Sequence, residues 1–175
     1  MLLLVRMKIK IPNQKDYKEI ADIHNRASEV FEHIYSQEEK EAFEDSLIET
    51  EKSIAELSQT RKLLVIQENK NHIVGYGAFR KKNNFTVWIS CFYIDPREQG
   101  KGYGGELLKE IEKYALKEGC AMVALETHRD ATWAINFYMK NDYKIINDNI
   151  HEFPYSKILE KPPVPNRPVI AKLLL

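Results

Sequence analysis

The sequence is poor in cysteine and carries no excess charge of either sign. Its 175 residues contain only two cysteines, Cys91 and Cys120, which do not form a CxxC pair. Two cysteines are too few for a disulfide framework or a four-cysteine zinc site. We therefore expect a reducing cytoplasmic setting. The 26 basic residues balance the 26 acidic residues, which disfavours nucleic acid or an anionic membrane as a partner.

Long apolar runs are also missing. The mean hydropathy is −0.47, with 43% of the residues hydrophobic and 30% charged, which is typical of a globular protein. Residues 1–6 are apolar, but they lack the basic region, the length and the cleavage site of a signal peptide. We expect one domain over residues 1–175, in which residues 1–6 precede a first strand at Met7. Either Met1 or Met7 then serves as the functional start.

Hydrophobic periodicity in the first half of the chain predicts a strand, two helices and three more strands. Residues 8–11 alternate as a half-buried strand does, and residues 20–34 and about 37–57 have apolar positions at helical spacing. The apolar series of the first helix includes His24. The β-rich runs follow at residues 63–66, 73–79 and 85–94. Their short polar links are typical of antiparallel hairpins.

The second half predicts a parallel crossover. A glycine-rich segment opens a helix that ends near Gly119, and residues 122–125 form the next buried strand. A strand, a helix and a strand in this order make a parallel pair. A further helix and strands near residues 143–146 and 169–174 complete the chain. The predicted fold is α+β (α/β): a mixed sheet, antiparallel at first, with one central β-α-β crossover and flanking helices.

The glycine-rich segment is the clearest candidate for a ligand site. Residues 99–105 contain four glycines within a strand-to-helix connection. Glycine lets a backbone approach a ligand closely, and the unpaired N–H groups of a first helical turn carry the positive end of the helix dipole. This favours an anion site, most naturally for phosphate. The alternative is a tight turn that binds nothing, although one glycine would suffice for that.

Two common phosphate motifs fit this segment poorly. Gly100, Gly102 and Gly105 have the spacing of the dinucleotide fingerprint, and Glu126 lies near the place of its ribose-binding acid. In that motif, however, the first glycine follows the strand almost immediately, whereas residues 95–99 intervene here. A P-loop requires a Ser or Thr that this segment lacks.

Two segments carry a family resemblance. Residues 92–104 read FYIDPREQGKGYG and residues 134–143 read AINFYMKNDY. The first resembles the acetyl-CoA motif of the GCN5-related N-acetyltransferases (GNAT family), Gln/Arg-x-x-Gly-x-Gly/Ala, with Gln99, Gly102 and Gly104 at its fixed places. The second resembles that family's Ala-x-x-Phe-Tyr-x-x-x-Gly-Phe segment. The detailed resemblance covers residues 73–146, with suitable elements between the two motifs.

The resemblance implies acetyl-CoA as the cosubstrate and no metal. It implies a GNAT-like sheet whose two central parallel strands splay apart, with the pyrophosphate on the glycine loop and the pantetheine paired with the main chain of residues 92–94. A main-chain N–H of that strand can then stabilise the oxyanion of the tetrahedral intermediate. The implied cofactor-binding residues are Phe92, Tyr93, Ile94, Gln99, Gly100, Lys101, Gly102, Tyr103, Gly104 and Gly105.

The resemblance also implies catalytic residues. Tyr138 matches the family's tyrosine that donates a proton to the departing thiolate, and its alternative role is a core aromatic beside Phe137. For the general base, Ser90 and Cys91 stand where a carboxylate is often found, so Glu126 is the candidate, with an exposed strand-end charge as the alternative. A buried strand cysteine is usually inert. We therefore expect direct transfer rather than an acyl-cysteine.

Substrate contacts and partners complete the set of expectations. In this family the first two helices and the last two strands select the acceptor, which implies Glu32, Tyr35, Phe153 and Tyr155 here, with ordinary packing or solvation as the alternative for each. The predicted function is acetyl-CoA-dependent N-acetylation of a primary amine, in a polyamine-like or amino-acid-like small molecule or in a peptide. The alternative is a non-catalytic CoA-binding or regulatory module. We expect a monomer or homodimer, with no nucleic acid or membrane partner.

Overall fold

The computed structural model describes residues 7–41, 48–69, 72–146 and 167–174. The strands are β1 (Met7–Lys10), β2 (Lys62–Glu68), β3 (His72–Lys81), β4 (Thr86–Ile94), β5 (Met122–Glu126), β6 (Lys144–Ile145) and β7 (Val169–Leu173). Within the described ranges, the helices whose full length is seen and is eight residues or more are α1 (Tyr17–Ser28), α2 (Glu51–Thr60), α3 (Tyr103–Lys117) and α4 (Thr132–Lys140). The sheet order is β1-β2-β3-β4-β5-β7-β6. The predicted mixed fold and its order of elements are confirmed.

The chain divides into two compact units. The first unit comprises Met1–Phe79 and Ser90–Glu110, and the second comprises Arg80–Ile89 and Ile111–Leu175. Strands β3 and β4 each contribute residues to both. The single domain over residues 1–175 stays a prediction.

The first unit is an antiparallel sheet with apolar residues on both faces. Strand β1 pairs with β2, and β2 pairs with β3 through a β-bulge where Ile66 faces Gly75 and Gln67 faces Ile73. The bulge places Ile73 and Tyr76 on the same face although they are three positions apart. This face packs against α1 and α2, in a core that includes Ile20, Ile23, Ile54, Leu63, Val65, Ile73 and Tyr76. On the other face, Ile66 and Val74 pack with Tyr103 and Leu107 of α3.

The second unit contains the parallel pair. Residues Thr86, Val87 and Trp88 of β4 pair in parallel with Met122, Val123 and Ala124 of β5, as the crossover through α3 predicts. Strand β5 pairs antiparallel with β7, and β7 with β6. The core here is formed by Met122, Ala124, Ile146, Val169 and Ala171.

The helical pattern at residues 37–57 proves to be interrupted. Residues 37–41 are helical, whereas Ile48 to Thr50 are not, and α2 begins at Glu51. The side chain of Thr50 accepts a hydrogen bond from the Ser53 N–H, and the Ser53 side chain accepts one from the Thr50 N–H. This capping box starts a new helix. The sequence did not indicate this second helix start, because residues 37–57 read as one helical pattern with a charged face.

In the part of the chain that the structure describes, no helix is both long and apolar enough to cross a membrane.

Candidate active site

A buried carboxylate anchors the loop that follows β4. Asp95 is 0% exposed, and its side chain accepts a 3.0 Å hydrogen bond from the Arg97 N–H, so that it caps the short turn Pro96–Glu98. Its oxygens also pair with the guanidinium groups of Arg97 (2.6 Å) and Arg26 of α1 (2.7 Å). Hydrogen bonds from Arg97, joined by those from Arg26, hold the pKa of Asp95 well below its usual range. The loop is thereby attached to α1 in the first unit.

The loop itself turns through two left-handed glycines. Gly100 has φ +78° and Gly102 has φ +87°, and a Cβ added to either would meet no atom within 4 Å. These φ values favour glycine, and the open space leaves the backbone accessible. Helix α3 begins directly afterwards at Tyr103. The first N–H groups of a helix lack intrahelical partners, so the loop and the helix start provide a backbone site for an anion.

The charged side chains of the loop are already paired. Lys101 Nζ lies 2.5 Å from Glu98 Oε2, and the other oxygen of Glu98 lies 3.7 Å from His72 Nε2. His72 Nδ1 in turn lies 3.5 Å from Glu19 Oε1. Because these charges offset one another, the attraction for an anion arises mainly from the backbone N–H groups and the helix dipole. A count of charged side chains does not register such a site.

The last residues of β4 point to opposite faces of the sheet. Phe92 and Ile94 pack with the cluster that includes Tyr103 and Leu107, and this contact fixes the start of α3 against the strand. Tyr93 points to the other face, where its ring lies 4.6 Å from His24 and 5.9 Å from Tyr76 between centroids. The side chain of Gln99 donates a 3.2 Å hydrogen bond to the Ile94 carbonyl. The predicted residues 92–94 and 99–105 thus lie together in the first unit.

A polar cluster on the Tyr93 face was not predicted from the sequence. His24 is only 5% exposed, and its Nδ1 shares a 2.7 Å hydrogen bond with the Tyr76 hydroxyl. Burial lowers the pKa of His24, while the charge of Glu49 opposes that effect. Burial raises the pKa of the Cys91 thiol to about 11, against a smaller effect of a hydrogen bond with Tyr76. The one signal in the sequence was a histidine at an apolar position of α1.

Tyr138 lies in the second unit and is buried at 5% exposure. Its ring makes an edge contact with Phe137 at 5.1 Å and lies 5.6 Å from Tyr143. Burial raises the pKa of Tyr138 above its usual value. The side chain is therefore a neutral phenol at physiological pH, which is the form that a proton donor needs.

Glu126 ends β5 and has a basic neighbour. Its Oε1 lies 3.8 Å from Arg167 Nη1. The Glu126 side chain is 33% exposed and the Arg167 side chain is 18% exposed. The sequence singled out Glu126 but not Arg167, because 41 positions separate the two along the chain and β5 pairs with β7 only in the fold.

The predicted substrate residues are only partly described. Glu32 is exposed in the short helical turn Glu29–His33, and the Tyr35 ring stacks on Phe31 with a centroid distance of 5.7 Å. Phe153 and Tyr155 lie outside the described residues. Among the residues that are described, no group of three or more His, Cys, Asp or Glu side chains is placed to hold a metal ion.

Comparisons with known proteins identify the family of the chain. The model of the acetyltransferase (GNAT) family matches residues 19–143. A curated relative, the uncharacterized N-acetyltransferase YhfO of Bacillus subtilis, is 23% identical over 150 residues, which cover 83% of this chain and 95% of the relative.

Solved structures share the fold at low sequence identity. One of them is the PaiA N-acetyltransferase of Thermoplasma acidophilum, solved in complex with coenzyme A, with a TM-score of 0.70 and 18% identity. The match covers 96% of this chain and 99% of the PaiA chain. The putative acetyltransferase YncA of Salmonella typhimurium, solved with acetyl-CoA, has a TM-score of 0.65 at 18% identity and covers 97% and 94%. The family match over residues 19–143 defines the class as acetyltransferase. The chain belongs to the GNAT family and is an N-acetyltransferase.

Proposed function

We propose that this protein transfers the acetyl group of acetyl-CoA directly to a primary amine, in a polyamine-like or amino-acid-like small molecule or in a peptide. The observation that carries the proposal is the open backbone at Gly100 and Gly102 directly before α3. That two structural neighbours were solved with coenzyme A or acetyl-CoA supports the same cofactor here. Both cysteines are free thiols, which suits a cytoplasmic setting.

In the proposed complex, residues 99–105 bind the pyrophosphate of the cofactor. The pantetheine carries amide groups, which need backbone partners, and the main chain of residues 92–94 supplies them. An N–H of this strand polarises the thioester carbonyl and stabilises the tetrahedral oxyanion.

Proton transfers to and from the protein accompany the acetyl transfer. An alkylamine is mostly ammonium at neutral pH, so the acceptor must lose a proton before its nitrogen attacks the thioester carbon. Glu126 is the proposed proton acceptor for this step, with Arg167 as its neighbour. When the C–S bond breaks, the leaving thiolate takes a proton, which we assign to the Tyr138 hydroxyl. The acylated nitrogen then loses its extra proton, and regaining a proton returns Tyr138 to its phenol form. The products are the N-acetylated amine and CoA.

The test is release of the CoA thiol from acetyl-CoA in the presence of separate amines. The panel contains diamines, amino acids and short peptides with free amino termini, and mass spectrometry identifies the acetylated product. We expect acetyl-CoA to bind and one class of amine to give thiol release. Binding without release across the panel would support the non-catalytic module instead. Failure to bind acetyl-CoA would refute both functions.

A further inference from the structure

Glu98 is a carboxylate held between two basic side chains beside the glycine loop. It is the last residue of the turn Pro96–Glu98, and its N–H donates a 2.8 Å hydrogen bond to the Asp95 carbonyl. One oxygen of its carboxylate accepts a 2.5 Å hydrogen bond from Lys101 Nζ, and the other lies 3.7 Å from His72 Nε2 on β3. The Glu98 side chain is only 16% exposed. The carboxylate therefore has a fixed position next to the loop.

Lys101 belongs to the segment that the proposed function assigns to the pyrophosphate of the cofactor. It stands between Gly100 and Gly102, whose left-handed backbone has open space beside it. Its ammonium group ends a flexible four-carbon stem, so an anion bound to the N–H groups of this loop is within reach of the Lys101 side chain. In the structure, however, the ammonium group pairs with Glu98.

Each partner of this pair stabilises the charged form of the other. The hydrogen bond from Lys101 lowers the pKa of Glu98, and the same hydrogen bond raises the pKa of Lys101. Both side chains are therefore charged near neutral pH. The Glu98 carboxylate thus occupies the place on Lys101 that a phosphate oxygen could take, and it adds a negative charge where a polyanionic cofactor has to bind.

We propose that Glu98 competes with the phosphate groups of acetyl-CoA and CoA for Lys101, and so lowers the affinity of the protein for both. This inference rests on the proposed function and adds the residue that sets the strength of cofactor binding. When the cofactor binds, Lys101 turns from the carboxylate to a phosphate oxygen, which accepts a charge-assisted hydrogen bond in its place. Glu98 keeps His72 as its neighbour. No covalent bond forms or breaks in this exchange, and the weaker binding favours release of the product CoA.

Removal of the Glu98 charge tests this exchange because the expected result is a gain of affinity, which damage to the fold would not produce. Glu98→Gln keeps the shape of the side chain but offers Lys101 no negative charge. The matched control is Glu56→Gln, which removes the same charge from a carboxylate that pairs with Lys52 at 3.8 Å on α2. Helix α2 packs on the face of the sheet opposite to the start of α3, so Glu56 is outside the proposed cofactor site.

The first measurement is calorimetric titration with CoA at low ionic strength, where charge effects are least screened. We expect Glu98→Gln to lower the Kd for CoA about three- to tenfold, whereas Glu56→Gln should keep the Kd of the wild type. In a Lys101→Gln background, Glu98→Gln should change the Kd by less than about twofold, because the two side chains act as a pair.

Three results would overturn the proposal. The first is an unchanged or raised Kd in Glu98→Gln, and the second is an equal fall in Glu56→Gln. The third is a full gain in the Lys101→Gln background, since Glu98 would then act without Lys101.

The second measurement repeats the titration with 3′-dephospho-CoA and with pantetheine, which has no phosphate. A gain kept with 3′-dephospho-CoA supports competition by the pyrophosphate, and a gain lost with it supports competition by the 3′-phosphate. A gain with pantetheine would contradict both.

Thiol release from acetyl-CoA separates this inference from the proposed function. Tighter CoA binding by Glu98→Gln without thiol release in the presence of any amine would support the competition and refute the transfer. Thiol release by the wild type, with equal CoA affinity in Glu98→Gln, would do the reverse.

Discussion

Tyr138 has two alternative roles, proton donor and core aromatic, and removing its hydroxyl group distinguishes them. Its phenol is buried beside Phe137 and Tyr143, and burial raises its pKa. In Tyr138→Phe the ring stays but the proton donor is lost, so we expect kcat to fall by about 100-fold or more, with little change in the KM for acetyl-CoA. Stopped-flow or steady-state thiol release measures both constants.

A matched variant controls for the loss of a tyrosine hydroxyl in general. Tyr114 lies on α3, outside the proposed site, and Tyr114→Phe should keep the wild-type kcat. If Tyr138→Phe keeps full turnover as well, Tyr138 has no catalytic role and is a core aromatic only.

Cys91 is a potential nucleophile on β4, but its thiol is held in the protonated, unreactive form. Burial raises the pKa of its thiol to about 11, and the thiol rather than the thiolate therefore predominates at pH 7 to 8. We expect Cys91→Ala to keep turnover within about threefold of the wild type, because a nonessential group is removed from a partly buried site. Intact-mass spectrometry after rapid quenching with acid should show no acetylated enzyme. An acetyl adduct that the Cys91→Ala variant lacks would replace direct transfer by a two-step mechanism.

Asp95 links α1 to the start of the glycine loop through Arg26 and Arg97, and this link depends on the ionisation of the Asp95 carboxyl group. Hydrogen bonds from Arg97 and Arg26 keep the pKa of Asp95 below its usual range. For a group whose pKa is lower in the folded state, the stabilisation is complete above the unfolded pKa of about 4 and is lost as the pH falls further. We expect Asp95→Asn to lower the free energy of unfolding at pH 7 by about 2 kcal/mol, less than for a fully buried pair because both arginine side chains are partly exposed.

Urea unfolding at several pH values tests this expectation. The difference between the wild type and Asp95→Asn should be constant from pH 7 to about pH 5 and should shrink as the pH falls below about 4. Asp22→Asn is the control, since the Asp22 side chain on α1 is 45% exposed and pairs with the still more exposed Lys18. A difference that stays constant down to the lowest pH would mean that the charge of Asp95 does not carry the stabilisation.

The elements that the sequence predicted are those with local signals. The strands of β2 to β4, the crossover helix α3 and the loop at residues 99–105 all have a period or a glycine pattern within a few residues. The contacts that could not be predicted join positions far apart: His24 to Tyr76 over 52 positions and Arg26 to Asp95 over 69. A single sequence shows no pairing between such residues. It therefore did not indicate that His24 is buried beside Tyr76 and Tyr93.

Glu126 and Glu49 show the same limit for single carboxylates. Glu126 attracted attention because it ends a strand, yet the fold gives it Arg167 as a neighbour. Glu49 lies in a charged stretch that resembles a solvated helix face, yet the Asn25 side chain of α1 donates to the Glu49 carbonyl at 2.9 Å and accepts from the Glu49 N–H at 2.7 Å. Their partners, rather than their residue type, distinguish the two carboxylates, and those partners depend on tertiary structure.

For the whole molecule, the neutral total of 26 basic and 26 acidic residues means that affinity for a polyanionic cofactor has to come from a local site. A ligand that binds only the folded chain stabilises it by mass action, by about 2.7 kcal/mol at 100 times its Kd. For a chain of this size that corresponds to a rise in melting temperature of about 5–10 °C. We expect CoA to produce a rise of this order in a thermal shift experiment.

Two glycine variants test whether the CoA-dependent rise in melting temperature comes from binding at the glycine loop. Gly102 (φ +87°) in the loop and Gly119 (φ +73°) after α3 both have left-handed backbone, and neither has an atom within 4 Å of an added Cβ. An alanine at either position costs about 1–2 kcal/mol of backbone strain, so both variants should melt below the wild type without ligand. If the loop holds the pyrophosphate, Gly102→Ala should also lose most of the CoA-dependent rise, because the strained loop presents its N–H groups differently, whereas Gly119→Ala should keep it. An equal loss in both variants would mean that the rise reflects general stability and that the cofactor phosphates bind elsewhere.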